Sequence, residues 1–119
     1  MRQILVPVDF SAVTDAVIEQ AAALARCFDA DLSLLHVAAP DPDFVGYDAG
    51  PETVREHVAV DLRNEHRELQ ALAESLRSRG LRAHAVSVQG STVETILERA
   101  ARVGAELIVI GSHGHGALY

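Results

Sequence analysis

Apolar residues fall along this chain in two alternating rhythms. Ile4-Leu5-Val6-Pro7-Val8, Leu32 to Val37 and Leu107-Ile108-Val109-Ile110 are nearly unbroken apolar runs of strand length. Runs of that kind predict strands buried on both faces, as in a parallel sheet. Arg82 to Val88 alternates polar and apolar positions instead, which predicts a strand at a sheet edge. Between the strands the spacing turns helical. Val13, Val17, Ala21, Leu24 and Phe28 form one stripe, with Ser11 placed as its N-cap. A longer stripe, Val54, Val58, Leu62, His66, Leu69, Ala73 and Leu76, predicts a helix from about Glu52 to Arg79, closed by Gly80 as a C′ glycine. Arg77 and Arg79 stand near its negative end. A third helix carries Val93, Ile96, Leu97 and Ala100; Ser91 and Glu94 are spaced as a capping box, and Gly104 closes it. Residues 39–51, rich in Pro, Gly and Asp, read as a loop.

The order βαβαβαβ predicts an α/β fold with a parallel sheet and right-handed crossovers. In such sheets ligands bind beyond the carboxyl ends of the strands, where the strand order reverses. Asp9 and Gly111 both end apolar runs. If the first and fourth strands are neighbours, the two residues meet at that point.

Composition narrows the chemistry. The 119 residues suit one domain, and with 49% apolar residues but only 4% aromatic the core must be aliphatic. The formal charge is −7, and all 10 basic residues are Arg. Without Lys there is no P-loop lysine and no Schiff base. An acidic chain without a basic cluster argues against long nucleic acid as a partner. No apolar run approaches the length of a membrane span, and no secretory signal is readable, so membrane association is not expected. Cys27 is the single cysteine, which fits a reducing cytoplasm and a packing role.

Gly111-x-x-Gly114-x-Gly116 at the end of the last strand leaves two readings: a cradle that turns backbone N–H groups toward phosphate, or a tight turn with no ligand. Asp9 likewise could meet the hydroxyls of a ribose or simply hold the turn into the first helix. His113 and His115 could chelate, but no Cys or carboxylate cluster adjoins them, so loop residues with incidental phosphate contact are the favoured reading and no metal site is assigned. His36 and His66 read as partly buried, hydrogen-bonded histidines. No triad and no paired carboxylates are readable, so no catalytic residue is assigned.

Four segments resemble the universal stress proteins: Ile4-Leu5-Val6-Pro7-Val8-Asp9-Phe10-Ser11, Leu34-Leu35-His36-Val37, the helix start from Gly90 to Ala100, and Leu107-Ile108-Val109-Ile110-Gly111-Ser112-His113-Gly114-His115-Gly116. The resemblance spans nearly the whole of residues 1–119, in the same segment order. It implies a Rossmann-like three-layer fold, a homodimer and a cytoplasmic location. Family sheets run 3-2-1-4-5; here order 3-2-1-4 is expected, with the final helix and fifth strand lying past Tyr119, as in a longer chain of which this is the front part.

Some members of that family bind ATP through Gly-x-x-Gly, nine further residues, Gly, and Ser or Thr. Gly111 and Gly114 match the first two glycines, with Ser112, His113 and His115 in the same phosphate turn; the third glycine would lie past Tyr119. Asp9 matches the acid at the adenosine, Val37 the position whose backbone meets the base, and Pro7 the crevice wall, with Val8 and Ile110 beside them. The resemblance thus implies a stress-response protein that binds ATP, with Mg²⁺ accompanying the triphosphate, as a regulatory switch with little or no hydrolysis. The alternatives are a nucleotide-independent dimerisation or scaffold module and a weak ATPase in which His113 or His115 orients water.

Overall fold

A computed structural model of the chain describes residues 2–38 and 51–111, and of residues 51–62 the backbone alone. Its elements are β1 (Arg2–Pro7), α1 (Thr14–Phe28), β2 (Ala30–Ala38), α2 (Pro51–Ser78), β3 (Ala83–Gln89), α3 (Thr92–Val103) and β4 (Leu107–Ile108). They form one parallel sheet of order β3-β2-β1-β4, a Rossmann-like α/β fold. The alternating strand β3 sits at the edge, where its half-polar pattern belongs. Pairing of Pro7 with Leu35, and of Leu5 with Ile108, sets the carboxyl ends of β1, β2 and β4 side by side.

β2 is buried on both faces, which is why its sequence is nearly continuous in apolar residues. Leu32 and Leu34 pack with Ile18, Ala21, Ala22 and Ala25 of α1 and with Leu69, Ala73 and Leu76 of α2. Leu35 packs on the opposite face with Leu5 and Ile96 of α3. Three layers result.

The details depart from the periodicity in four places. The buried face of α1 centres on Thr14, Ile18, Ala21, Ala22 and Ala25; of the expected stripe Ala21 is fully buried, Val17 and Leu24 pack at its margin, and Phe28 lies outside it. Three alanines let the helix lie close to the sheet, and the apolar arc is wide enough to roll by one residue. Phe28 is thereby exposed, with the Arg2 guanidinium 5.6 Å above its ring. Cys27 also turns out to be exposed, so the packing role expected for it is wrong.

The second departure concerns caps. α1 starts at Thr14 behind Val13, not behind Ser11. Ser91 does precede α3 with extended backbone, but its side chain makes no capping bond, so the capping box is not formed. Helix ends follow the sequence better. Gly80 is left-handed at φ +87°, its N–H donates to Arg77 O at 2.9 Å, and Leu81 N–H donates to Leu76 O at 3.1 Å. These two bonds close α2 as a Schellman motif. Gly104 closes α3 at φ +68°.

The third and fourth lie at the other sheet edge. Of the α3 stripe only Ile96 is buried, while Val93 is 67% and Leu97 60% exposed. The run read as a fully buried strand shortens to β4, flanked by ladder-like bonds from Glu106 N–H to Gln3 O and Val109 N–H to Leu5 O, both 2.9 Å. Leu107 and Ile110 are exposed there. Apolar sequence marked these residues as core, yet among the described residues nothing packs on the outer side of β4.

Candidate functional site

The cleft at the carboxyl end of the sheet is built from turns that the sequence specifies locally. Beyond Pro7 the chain leaves β1, and Val8 N–H still donates to Leu35 O at 2.7 Å. Asp9 Oδ1 then accepts the N–H of Ser11 at 3.0 Å, an Asx turn. Ser11 in turn accepts Val13 N–H on its hydroxyl at 3.4 Å and Thr14 N–H on its carbonyl at 3.1 Å. Phe10, between them, is held at φ +57°, a left-handed conformation rare for a bulky side chain. Asp9 therefore does hold the turn into α1, and its carboxylate is at the same time exposed in the wall of the cleft.

Gly111 closes the cleft from β4. A Cβ built there would meet Val17 Cγ2 at 2.5 Å and Val13 Cγ2 at 3.0 Å. The glycine is needed because α1 comes so close, a reason distinct from approach to a ligand. Its backbone nonetheless lines the cleft, and so the packing requirement brings the strand end and the helix start around one space.

That space encloses about 160 Å³ and is lined by Pro7, Val8, Asp9, Val37, Ile110 and Gly111, all of them positions singled out from the sequence. Ser112, His113, Gly114 and His115 lie outside the described residues. Sequence reasoning missed Val13 at the start of α1, Thr14 and Val17 within it, Leu35 of β2, and Thr92 and Ile96 of α3. Periodicity assigns Val13, Val17, Leu35 and Ile96 to the core and leaves out Thr14 and Thr92, and it carries no signal for which positions border a gap. The wall is mostly branched aliphatic with a few polar groups, the usual make-up of a small-molecule site. Thr14 is one of the lining residues, and its Oγ1 is buried with no hydrogen-bond partner among the described residues. Among the described residues no three His, Cys, Asp or Glu side chains converge as a metal site.

The histidines are accounted for by the sheet. His36 is buried, with Nδ1 3.0 Å from Val8 O. His66 Nδ1 lies 2.8 Å from Ser87 Oγ, and its Nε2 accepts from the Gln70 amide at 3.2 Å. Because Nε2 accepts, Nδ1 of a neutral His66 is the donor to Ser87, so the pair is not arranged for activating a nucleophile. His84 Nε2 is 2.8 Å from Ser33 Oγ.

Comparisons with known proteins agree with this architecture. The sequence model of the universal stress protein family matches residues 1–119. The chain is 30% identical over 122 aligned positions to universal stress protein YxiE of Bacillus subtilis, covering 98% of this chain and 82% of that one. A crystal structure of a universal stress protein family member from Burkholderia pseudomallei superposes with a TM-score of 0.69 at 31% identity, covering 93% of this chain and 81% of that one. An Arabidopsis thaliana family member with AMP bound superposes at 0.65 with 21% identity, covering 98% of this chain and 79% of that one. A universal stress protein in complex with cAMP does so at 0.59 with 17% identity, covering 90% and 69%. At those last two identities the likeness is one of fold.

Proposed function

This chain belongs to the universal stress protein family, and from that premise we propose that its cleft binds ATP as a regulatory switch. The observation that carries the reading is the convergence of Asp9, Val37 and Gly111 on one aliphatic cleft at the switch point. Solved family members holding AMP and cAMP support an adenine nucleotide as the ligand class. The base would lie against Pro7 and Val37, with ribose hydroxyls toward Asp9. The phosphates would lie over Gly111 and the Ser112-His113-Gly114-His115 turn, where backbone N–H groups are the available donors. Mg²⁺ would arrive with the triphosphate, since a magnesium ion keeps most of its waters and takes few protein ligands.

No general base is assigned, so ATP is expected to persist once bound and to act by selecting one state of the glycine-rich turn. Cytoplasmic location and a homodimer belong to the same reading. Among the described residues no helix is long and apolar enough to cross a membrane. Nucleotide titration with an assay for released phosphate tests the proposal: saturation without turnover is the expected result, and turnover lost on changing His113 would make the protein a weak ATPase instead.

One observation favours a second reading, a nucleotide-independent dimerisation or scaffold module. Leu107 and Ile110 at the β4 edge are exposed on the same side of the sheet order as the open edge, and Val93 and Leu97 of α3 are exposed as well. Absence of nucleotide binding together with a stable dimer would select it.

A further inference from the structure

His36 touches the residue on either side of Asp9. Its Nδ1 lies 3.0 Å from the carbonyl oxygen of Val8, and its ring centroid lies 4.9 Å from that of Phe10 at a tilt of 53°. A carbonyl oxygen only accepts, so this contact requires the proton on Nδ1. Nε2 is then the variable atom. It is buried, makes no aligned hydrogen bond among the described residues, and lies 3.3 Å from Glu65 Oε2 on α2. A neutral ring would turn its Nε2 lone pair toward that carboxylate. The imidazolium turns an N–H there, and the Phe10 ring beside it also favours a cation. All three contacts are satisfied together only by the charged ring.

We propose that the His36 imidazolium, held by Glu65, is the positioning residue that sets the Asp9 turn at the cleft, so that ligand affinity falls when His36 loses its proton. Through Val8 O it fixes the residue before Asp9, and through the Phe10 ring it holds a left-handed residue after it. α2 is thereby tied to the ligand wall by one proton. Among the described residues, Asp9 follows Val8 in the chain, and Asp15 of α1 and Glu68 of α2 line the groove beside Phe10. His66 of α2 bonds Ser87, the β3 residue in register with His36. Glu65 is the carboxylate in contact with the ring, and a carboxylate favours an adjacent cation.

The ligand part rests on the nucleotide reading; the response of the turn does not. Imidazole nitrogen spectra of His36, with the amide shifts of Phe10 and Ser11, would be followed from about pH 5.5 to about pH 8.5. Expected are two protonated nitrogens at the acid end, loss of the Nε2 proton alone on raising pH, and Phe10 and Ser11 amides moving with the same midpoint. Glu65→Gln should move that midpoint to lower pH. A ring protonated only on Nε2, or amides that ignore the titration, overturns the proposal.

ATP titration supplies the second readout. His36→Asn keeps an N–H near Nδ1 but cannot carry charge. The variant should bind about tenfold more weakly than wild type near pH 6, and the ratio should fall to about one near pH 8.5. The phosphate's own titration cancels in that ratio. His66→Asn should keep the wild-type profile. A ratio constant with pH shows a merely structural His36 and overturns the proposal. Absence of nucleotide binding at every pH would refute the proposed function instead, and the spectra would still decide the positioning.

Discussion

A methyl group at position 111 would stand 2.5 Å from Val17 Cγ2, closer than real Cβ contacts come. Gly111→Ala should therefore cost stability, about 1–3 kcal/mol by the usual penalty for overpacking. Thermal unfolding measures it, and Val17→Ala in the same chain should return part of the loss. Asp9 needs a different dissection, because its carboxylate both holds the Ser11 N–H and faces the cleft. Asp9→Asn keeps an oxygen acceptor for the turn and drops the charge, whereas Asp9→Ala loses both. If ribose hydroxyls bind here, Asp9→Ala should weaken ATP about tenfold or more, and Asp9→Asn should weaken it less while leaving the melting temperature near wild type. Equal affinity in all three chains would remove Asp9 from the site. Glu19 gives a pH-dependent case: the Arg79 guanidinium, bonded to both of its oxygens at 2.9 Å, holds its carboxyl below the ordinary glutamate value of 4.5. A lowered folded value means that the contribution is present above that ordinary value and is lost as pH falls through the lowered one. Glu19→Gln should thus melt slightly below wild type near neutral pH and converge with it in acid, the pair being a surface one.

At the level of elements, helix ends separate conformational cost from packing cost. Gly80 has φ +87° with nothing within 4 Å of an added Cβ. Gly80→Ala should still cost about 1 kcal/mol, all of it from backbone strain, and chemical denaturation should show an unchanged slope. The glycines at 80 and 104 and the edge position of β3 were legible because each depends on local chemistry. The faces of α1 and α3 were not. A wide alanine-rich arc in α1 can roll without changing its periodicity, so Phe28 and Cys27 turned outward while Thr14 turned in. The capping box was not legible either: spacing permits the Ser91 bond, but the side chain leaves it unmade. The candidate site was half legible. Asp9 and Gly111 follow from topology and Pro7 and Val37 from the family resemblance, whereas Thr14 and Thr92 come from helices whose rotation only the fold determines.

For the whole molecule, two open features define the remaining behaviour. One is the β4 edge, where Leu107 and Ile110 are exposed next to unpaired backbone among the described residues. Exposed apolar edges pair with other chains. Leu107→Arg should accordingly reduce any self-association seen by analytical ultracentrifugation without changing the far-ultraviolet spectrum; unchanged association would place the contact elsewhere. The other is the cleft between β1 and β4. A net charge of −7 opposes a free polyanion at long range, so binding must come from short-range contacts: backbone N–H groups, Thr14 and the aliphatic walls. Affinity should for that reason rise with Mg²⁺, which offsets the charge of the triphosphate.

Titration calorimetry of this chain with ATP and Mg²⁺ tests the central claim most directly. Saturable one-site binding in the micromolar range, abolished or strongly weakened by Gly114→Val, is the predicted result. No heat at ligand concentrations up to the millimolar range, or binding indifferent to Gly114→Val and Asp9→Ala alike, would contradict it.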